Sequence, residues 1–211
     1  MNLSQMREQL NGLAGLDLEP EEADQLLNEG YQELTARAEW SRVYYTDTTV
    51  ADQEDYTLPA NLYRILDVQL SGIPQYLATD EEIAHIRAGN LIQNRDYTGS
   101  NLYWLEGNSS GVDHLTLYPT PTDAGNTILL IYVSIPAALE DDDDTPVIPS
   151  TFHRAIVNYA AARAYELLED DKDLADRHTL DFETGVERLR RLRYSRKGRG
   201  ATQLRVSGTH Y

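Results

Sequence analysis

Four short stretches of this sequence, and its scattered histidines, carry residue types that could do chemistry. Gly107 to Gly111 reads "GNSSG", the G-x-S-x-G pattern of a nucleophilic serine, here Ser109. That chemistry needs a sharp turn from strand to helix, which lifts the hydroxyl over the sheet. The residues that follow, "VDHLTLYP", alternate like a strand, so the spacing predicts a hairpin loop instead. "NRDYTGSNLYWLE" offers calcium-loop oxygens at Asn94, Asp96 and Thr98, with a glycine at Gly99. The twelfth position, where a bidentate glutamate belongs, is Leu105, and Glu106 comes one residue late.

A third stretch, "EDDDDTPVIPS" from Glu140 to Ser150, holds a run of aspartates. Neighbouring carboxylates along a chain point in different directions, whereas calcium loops space their ligands around a glycine. The run therefore reads as a solvated joint, with two prolines keeping it extended and Ser150 or Thr151 able to cap the helix that follows. The five histidines, His85, His114, His153, His178 and His210, form no H-E-x-x-H pair. His178 falls on an apolar helical seam and reads as a core or cap histidine. "KGRG" lacks the strand and helix that frame a phosphate loop. The residues thus predict no catalytic group, no metal and no cofactor, and the protein is expected not to be an enzyme. A serine or metal-dependent hydrolase is the alternative they leave.

The elements that must position these residues change period twice. Pro20, Glu21 and Glu22 open a helix, with Ala23, Leu26, Leu27, Gly30, Leu34 and Ala38 on one stripe up to Trp40. From Ser41 the chain turns β-branched and aromatic. "SRVYYTDTTV", "DYTLPANLYRILDVQL", "NLYWLE", "DHLTLYP" and "NTILLIYVSI" are strand candidates. Between them "TDEEIAHIRAG" is a short helix with a Thr79/Glu82 capping box and Gly89 as its stop. Nine of the 14 tyrosines lie in this β region: Tyr44, Tyr45, Tyr56, Tyr63, Tyr76, Tyr97, Tyr103, Tyr118 and Tyr132. They fit subunit interfaces and ordinary strand propensity equally well.

After Pro149 the helical period returns. Phe152, Ile156, Val157, Ala160, Ala164, Leu167 and Leu168 mark one face. Leu174, His178, Phe182, Gly185, Leu189 and Leu192 mark a second helix, antiparallel to the first across "EDDKD". The fold class is α+β. Residues 1–40 and 149–195 are expected to form a helical bundle, from an N-terminal helix and a C-terminal helical hairpin. Residues 41–148 form an inserted β-rich subdomain and 196–211 an extended basic tail. Leu27, Leu34, Ile156, Ala160 and Leu189 should be buried.

The 211 residues contain no cysteine, which excludes disulfides and thiolate chemistry. Nothing is long and apolar enough to span a membrane, and the start, "MNLSQMREQL", does not read as a signal peptide. The chain is expected in the cytosol. Net charge is −17, unevenly spread. From Arg188 onward there are eight basic residues and no acid, which leaves ten basic and 35 acidic residues in the first 187, a net of −25. Such a body repels nucleic acid backbones. In the tail, Arg196, Lys197 and Arg199 lie among glycines, which disfavour a helix. Leu204, Arg205 and Val206 then alternate towards Tyr211.

The order of these features resembles a family. A helix ends in tryptophan, "LLNEGYQELTARAEW". A strand and proline turn follow, "YTLPANLYRILDV", then an aromatic hairpin with "LTLYPTP". The acid-rich joint and its helix, "DDDDTPVIPSTFHRAIVNYAAARAYELLEDD", come next, and a last helix closes the chain. This is similar to the head–tail adaptor (connector, head-completion) proteins of tailed bacteriophages, across residues 20–193. The resemblance implies a structural virion protein of the phage neck, assembled in the host cytoplasm. It implies a homo-oligomeric ring of twelve copies under the portal protein. That ring would line the channel for double-stranded DNA, without sequence-specific binding, and join the portal to the tail's nozzle, stopper or tail-tube proteins. Another neck component, a stopper or tail-completion protein, is the nearest alternative. The tail residues Arg196, Lys197, Arg199, Leu204, Arg205, Val206 and Tyr211 are the expected portal-binding set. The arginines would meet acidic partner surface, and the alternating residues would pair through their main chain; a disordered basic tail that contacts packaged DNA non-specifically is the alternative.

Overall fold

The structure is a computed structural model that describes residues 1–14, 18–89, 102–107, 113–169 and 171–201. It is a mixed α+β chain of five α-helices and two four-stranded sheets among the described residues. Its contacts divide it into two compact units, one of residues 1–41 and 135–211, the other of residues 42–134.

The first unit is helical. It holds α1 (Leu3–Ala14), α2 (Pro20–Arg37), α4 (His153–Ala164) and α5 (Lys172–Ala201). The helix α1 was not expected from the sequence, yet Leu3, Met6 and Leu10 on its inner face are wholly buried. Its start is fully satisfied. The Leu3 and Ser4 amides donate to the carbonyls of Asp144 and Asp142, and the Met6 amide to Asn2. Asn2 and Gln5 exchange side-chain and backbone hydrogen bonds at 3.0 and 3.1 Å, a capping box. All four amides that a helix start leaves without intrahelical partners thus find acceptors.

The helix α4 is the centre of this unit. His153, Ala155, Ile156, Val157, Asn158, Ala160, Ala161, Ala162 and Ala164 are all buried, as a helix enclosed on several sides must be. It packs against α1, α2 and α5. Small residues make the approach close. A Cβ on Gly30 of α2 would stand 3.0 Å from the Ile156 carbonyl and from Tyr159. Leu27, Leu34, Ile156, Ala160 and Leu189 are each 0% exposed in the shared core, as the stripes required. Leu139 and Ile148 also belong to that core, so residues 135–148 cluster with the helices rather than with the strands.

Two local readings need correction. Neither Ser150 nor Thr151 caps α4. A single 3₁₀ turn, Ser150–Phe152, winds into the helix, and no side chain caps either start. Beyond Ala164 the helix widens into a π turn, Tyr165–Glu169. The wider turn slips the helical phase, so Leu167, expected on the buried face, is 63% exposed. Asp171 then accepts the Leu174 amide at 3.1 Å and starts α5.

The second unit holds β1 (Arg42–Thr48), β2 (Asp55–Thr57), β3 (Leu62–Leu70), β4 (Ile73–Pro74), β5 (Tyr76–Leu77), α3 (Asp80–Arg87), β6 (Leu102–Gly107), β7 (Asp113–Tyr118) and β8 (Thr127–Ser134). One sheet has the order β1-β8-β3-β4 and the other β2-β7-β6-β5. Val68, Ile128, Leu130 and Tyr132 of the first share a core with Tyr56, Tyr103, Leu115 and Leu117 of the second. The opposite face of the second sheet carries Leu102 and Trp104, which α3 covers with Ile83 and Ile86. That helix starts on the expected Thr79/Glu82 capping box, and Gly89 follows it at φ +71°.

Candidate functional site

The motif at Ser109 lies outside the described residues, but its flanks are informative. The strands β6 and β7 pair antiparallel from Leu102 opposite Tyr118 to Gly107 opposite Asp113. The segment joins two neighbouring strands and not a strand to a helix, so a nucleophile elbow has no frame there. Asn94, Asp96, Thr98 and Gly99 also lie outside the described residues. Among the described residues, no group of three His, Asp or Glu side chains is placed to hold a metal ion.

The aspartate run has a structural task. Asp142 pairs with Arg7 at 3.2 Å, and Asp143 accepts from the Asn2 amide group at 3.3 Å. The Asp144 carboxylate accepts the backbone amides of Asp141 and Glu140 at 2.9 and 2.8 Å, which pulls its pKa below the usual value. Three neighbouring carboxylates thus serve three different partners. The carbonyls of the same turn cap α1. The joint is a preformed acidic turn, with Glu140, Asp141, Asp142 and Asp143 exposed.

His178 is half-buried, stacked on Tyr165 with centroids 5.7 Å apart, and its Nδ1 lies 3.4 Å from Asn158 Oδ1. Burial lowers its pKa, Arg177 and Arg154 push the same way, and Asp181 opposes them. His153, which the sequence did not single out, is more deeply placed. Its Nε2 lies 3.0 Å from the Ile148 carbonyl, and Nδ1 lies 2.9 Å from both the amine and the carbonyl oxygen of Met1. Burial lowers its pKa too.

The basic run beginning at Arg188 divides by partner. Arg190 donates to the Arg37 carbonyl at 2.8 Å. Arg193 donates through Nη1 to both the carbonyl and the carboxylate of Glu39, and its guanidinium sits 4.6 Å from the ring centroid of Tyr194. Arg191 pairs with Glu187 on its own helix. These arginines hold α5 to the end of α2 or to itself.

The expected tail set is placed in part. The backbone of α5 continues to Ala201, so residues 196–201 are helical where an extended segment was expected. Arginine and lysine are good helix formers and are favoured at the negative end of the helix dipole. Together they offset Gly198 and Gly200, at about 1 kcal/mol each. Arg196, Lys197 and Arg199 therefore lie on the last turns of α5. Leu204, Arg205, Val206 and Tyr211 lie outside the described residues.

Sequence reading missed one surface. An open groove of about 430 Å³ lies between the start of α4 and α5, with Thr151, Phe152, Arg154, Asp181, Thr184 and Arg188 along it. Arg177 occupies the same face of α5 as Asp181, Thr184 and Arg188, at spacings of four, seven and eleven. The guanidinium groups of Arg154, Arg177 and Arg188 are exposed and make no ion pair with a described carboxylate. The signal was present as Arg177 and Arg188 on one helical face, but Arg154 joins them only through packing.

The tyrosines of the second unit divide as well. Tyr56, Tyr103 and Tyr132 are core residues, whereas Tyr44, Tyr63 and Tyr76 are 67%, 46% and 48% exposed. Tyr44 lies on β1, at one end of the strand order in its sheet.

These features, a helical unit with charged surfaces and a β sandwich bearing exposed aromatics, are those of a protein that works through its surfaces. The family model of the SU10 adaptor protein matches residues 1–206, and the chain belongs to that family, a family of phage head–tail adaptors. Membership implies a structural, non-enzymatic role in the phage particle. No curated protein matches the chain. Among the described residues, no helix is long and apolar enough to cross a membrane.

Proposed function

We propose that this protein is the head-to-tail adaptor of a phage neck. Copies of it form a ring, twelve in number to match a twelve-fold portal, docked beneath the portal protein and joined below to nozzle, stopper or tail-tube components. The ring lines the channel through which double-stranded DNA passes. The observation that carries this reading is the family match over nearly the whole chain. The charge distribution supports it. A body with a net charge of −25 in its first 187 residues gives DNA a wall to slide past without adhesion.

Attachment to the portal falls to the C-terminal segment. Arg196, Lys197 and Arg199 lie on the last turns of α5, beyond Arg193, which donates to Glu39 just past α2. Leu204, Arg205, Val206 and Tyr211 add an alternating segment that pairs through its main chain when it meets the portal or a neighbouring subunit. The acidic bodies repel one another in solution, so the portal acts as the template for the ring.

Deletion of residues 196–211 tests this reading. The truncated protein keeps its melting temperature, loses only the helical circular dichroism of residues 196–201, and fails to bind portal rings purified from the same phage. Full occupancy of DNA-free portals by the truncated protein would exclude the C-terminal segment as the attachment. A stable ring at micromolar concentration without portal would exclude the template role.

A further inference from the structure

We propose that the arginine groove between the start of α4 and α5 receives the acidic joint, residues 140–143, of a second copy of this chain. The proposal rests on the ring reading above and names the surfaces through which neighbouring copies meet.

The groove is an unmet demand for negative charge. Acidic residues outnumber basic ones 35 to 18 in this chain, yet Arg154, Arg177 and Arg188 have no carboxylate partner among the described residues. Asp181 is the one acid lining the groove, against two arginines, Arg154 and Arg188, with Arg177 further along the same face of α5. The start of α4 adds the positive end of a helix dipole. Arginine's planar fork suits a carboxylate in two-pronged geometry.

The joint supplies the matching shape. Its turn is already set by the Asp144 carboxylate and by the hydrogen bonds to α1. Glu140, Asp141 and Asp143 point charge outward from a fixed backbone, so docking costs little ordering entropy. Exposed apolar side chains stand near each patch in sequence, Leu180 at 68% on α5 beside Asp181, and Val147 at 65% four residues after the joint.

Placement makes the contact one between copies. On α4, His153 faces Met1 and Ile148, whereas Ala155 faces Gly185 of α5. Residues two apart on a helix point about 200° apart. The joint, which caps α1, therefore lies on one side of α4 and the groove on the other. A patch and its complement on different sides of one subunit make a heterologous interface, which closes into a ring when the rotation allows.

The absence of native cysteine makes the test clean. One full-length preparation carries Thr151→Cys at the groove and another carries Glu140→Cys at the joint. They are mixed at the highest soluble concentration, without portal, and treated with a short bismaleimide. We expect a cross-linked heterodimer. Arg154→Glu with Arg188→Glu in the groove preparation lowers the yield about tenfold, as unlike charges become like. Asp141→Lys with Asp143→Lys in the joint preparation does the same. Combining the two reversed preparations restores the yield. All four side chains are exposed, and melting temperatures confirm that each variant folds. Failure of the combined reversal to restore cross-linking would overturn the proposal. So would a yield insensitive to either reversal. Restored cross-linking in a protein that does not bind portals would support this interface and remove the portal reading. Full portal rings that never cross-link would do the reverse.

Discussion

The Cβ that Gly185 lacks would stand 2.5 Å from the Cβ of Ala155. The two residues set how closely α5 lies on α4. Gly185→Ala forces the helices apart, because neither alanine has a side-chain torsion to turn away, at a cost of about 1–3 kcal/mol. The gain in helix propensity, about 1 kcal/mol, offsets only part of this. Gly12 is the control, because it lies in α1 with nothing within 4 Å of its absent Cβ. Gly12→Ala should raise stability by up to about 1 kcal/mol. Urea unfolding of the two variants should therefore move the midpoint in opposite directions.

The start of α1 depends on residues at both ends of a long sequence gap. Asn2→Ala removes the cap and should cost about 1 kcal/mol. Arg7→Met removes the partner of Asp24 and Asp142 without removing the stem that packs beside them. Both variants should speed amide hydrogen exchange at residues 3–10 and leave α4 protected. Equal loss of protection in both helices would mean that α1 opens only when the whole bundle does.

How much could be read in advance follows from how local each cause is. The Thr79/Glu82 box and the Gly89 stop act within one turn, and α3 was legible from them. The same kind of signal stands at Asn2 and Gln5, with Leu3, Met6 and Leu10 behind it. The π turn at Tyr165 was not legible, because a hydrogen-bond slip leaves the apolar spacing unchanged. The task of Asp142 and Asp144 could not be read from the joint alone, since their carbonyls serve a helix about 140 residues earlier. The groove was hidden for a similar reason. Arg154 and Arg188 meet only because Gly185 lets α5 close on Ala155.

Glu39 holds a backbone conformation that glycine would hold more easily. Its φ is +50°, and the amides of Glu39 and Trp40 donate to the carbonyls of Ala36 and Thr35, which closes α2 in a Schellman motif. The side chain explains the choice, because it accepts from Arg193. Glu39→Ala keeps the left-handed strain, about 1–2 kcal/mol for a residue with a Cβ, and loses the ion pair. Glu39→Gly loses the ion pair alone. The alanine variant should therefore unfold at lower urea than the glycine variant. The reverse order would mean that the Cβ itself packs usefully at that corner.

His153 makes the stability of the helical unit depend on pH. Its pKa is lowered first by burial, and that of His178 is lowered for the same leading reason. In the unfolded chain both titrate near the ordinary value of about 6.5. Below that value the unfolded state binds protons that the folded state refuses, so stability falls as the solution is acidified. Above it neither state is protonated and the effect vanishes. The loss begins near pH 6.5 and levels off once the solution reaches the depressed folded values. Asp144 acts in a separate, lower window, because its lowered pKa stabilises the fold above the usual carboxylate value and is lost as pH falls below it. Chemical unfolding between pH 8 and pH 5 should show the first decline. His153→Gln retains an N–H for the Ile148 carbonyl and removes the titration. It should leave stability at pH 8 within about 1 kcal/mol of the native protein and flatten the decline. A His153→Gln protein that declines as steeply as the native one would assign the acid sensitivity to His178, and His178→Gln would then carry the flattening.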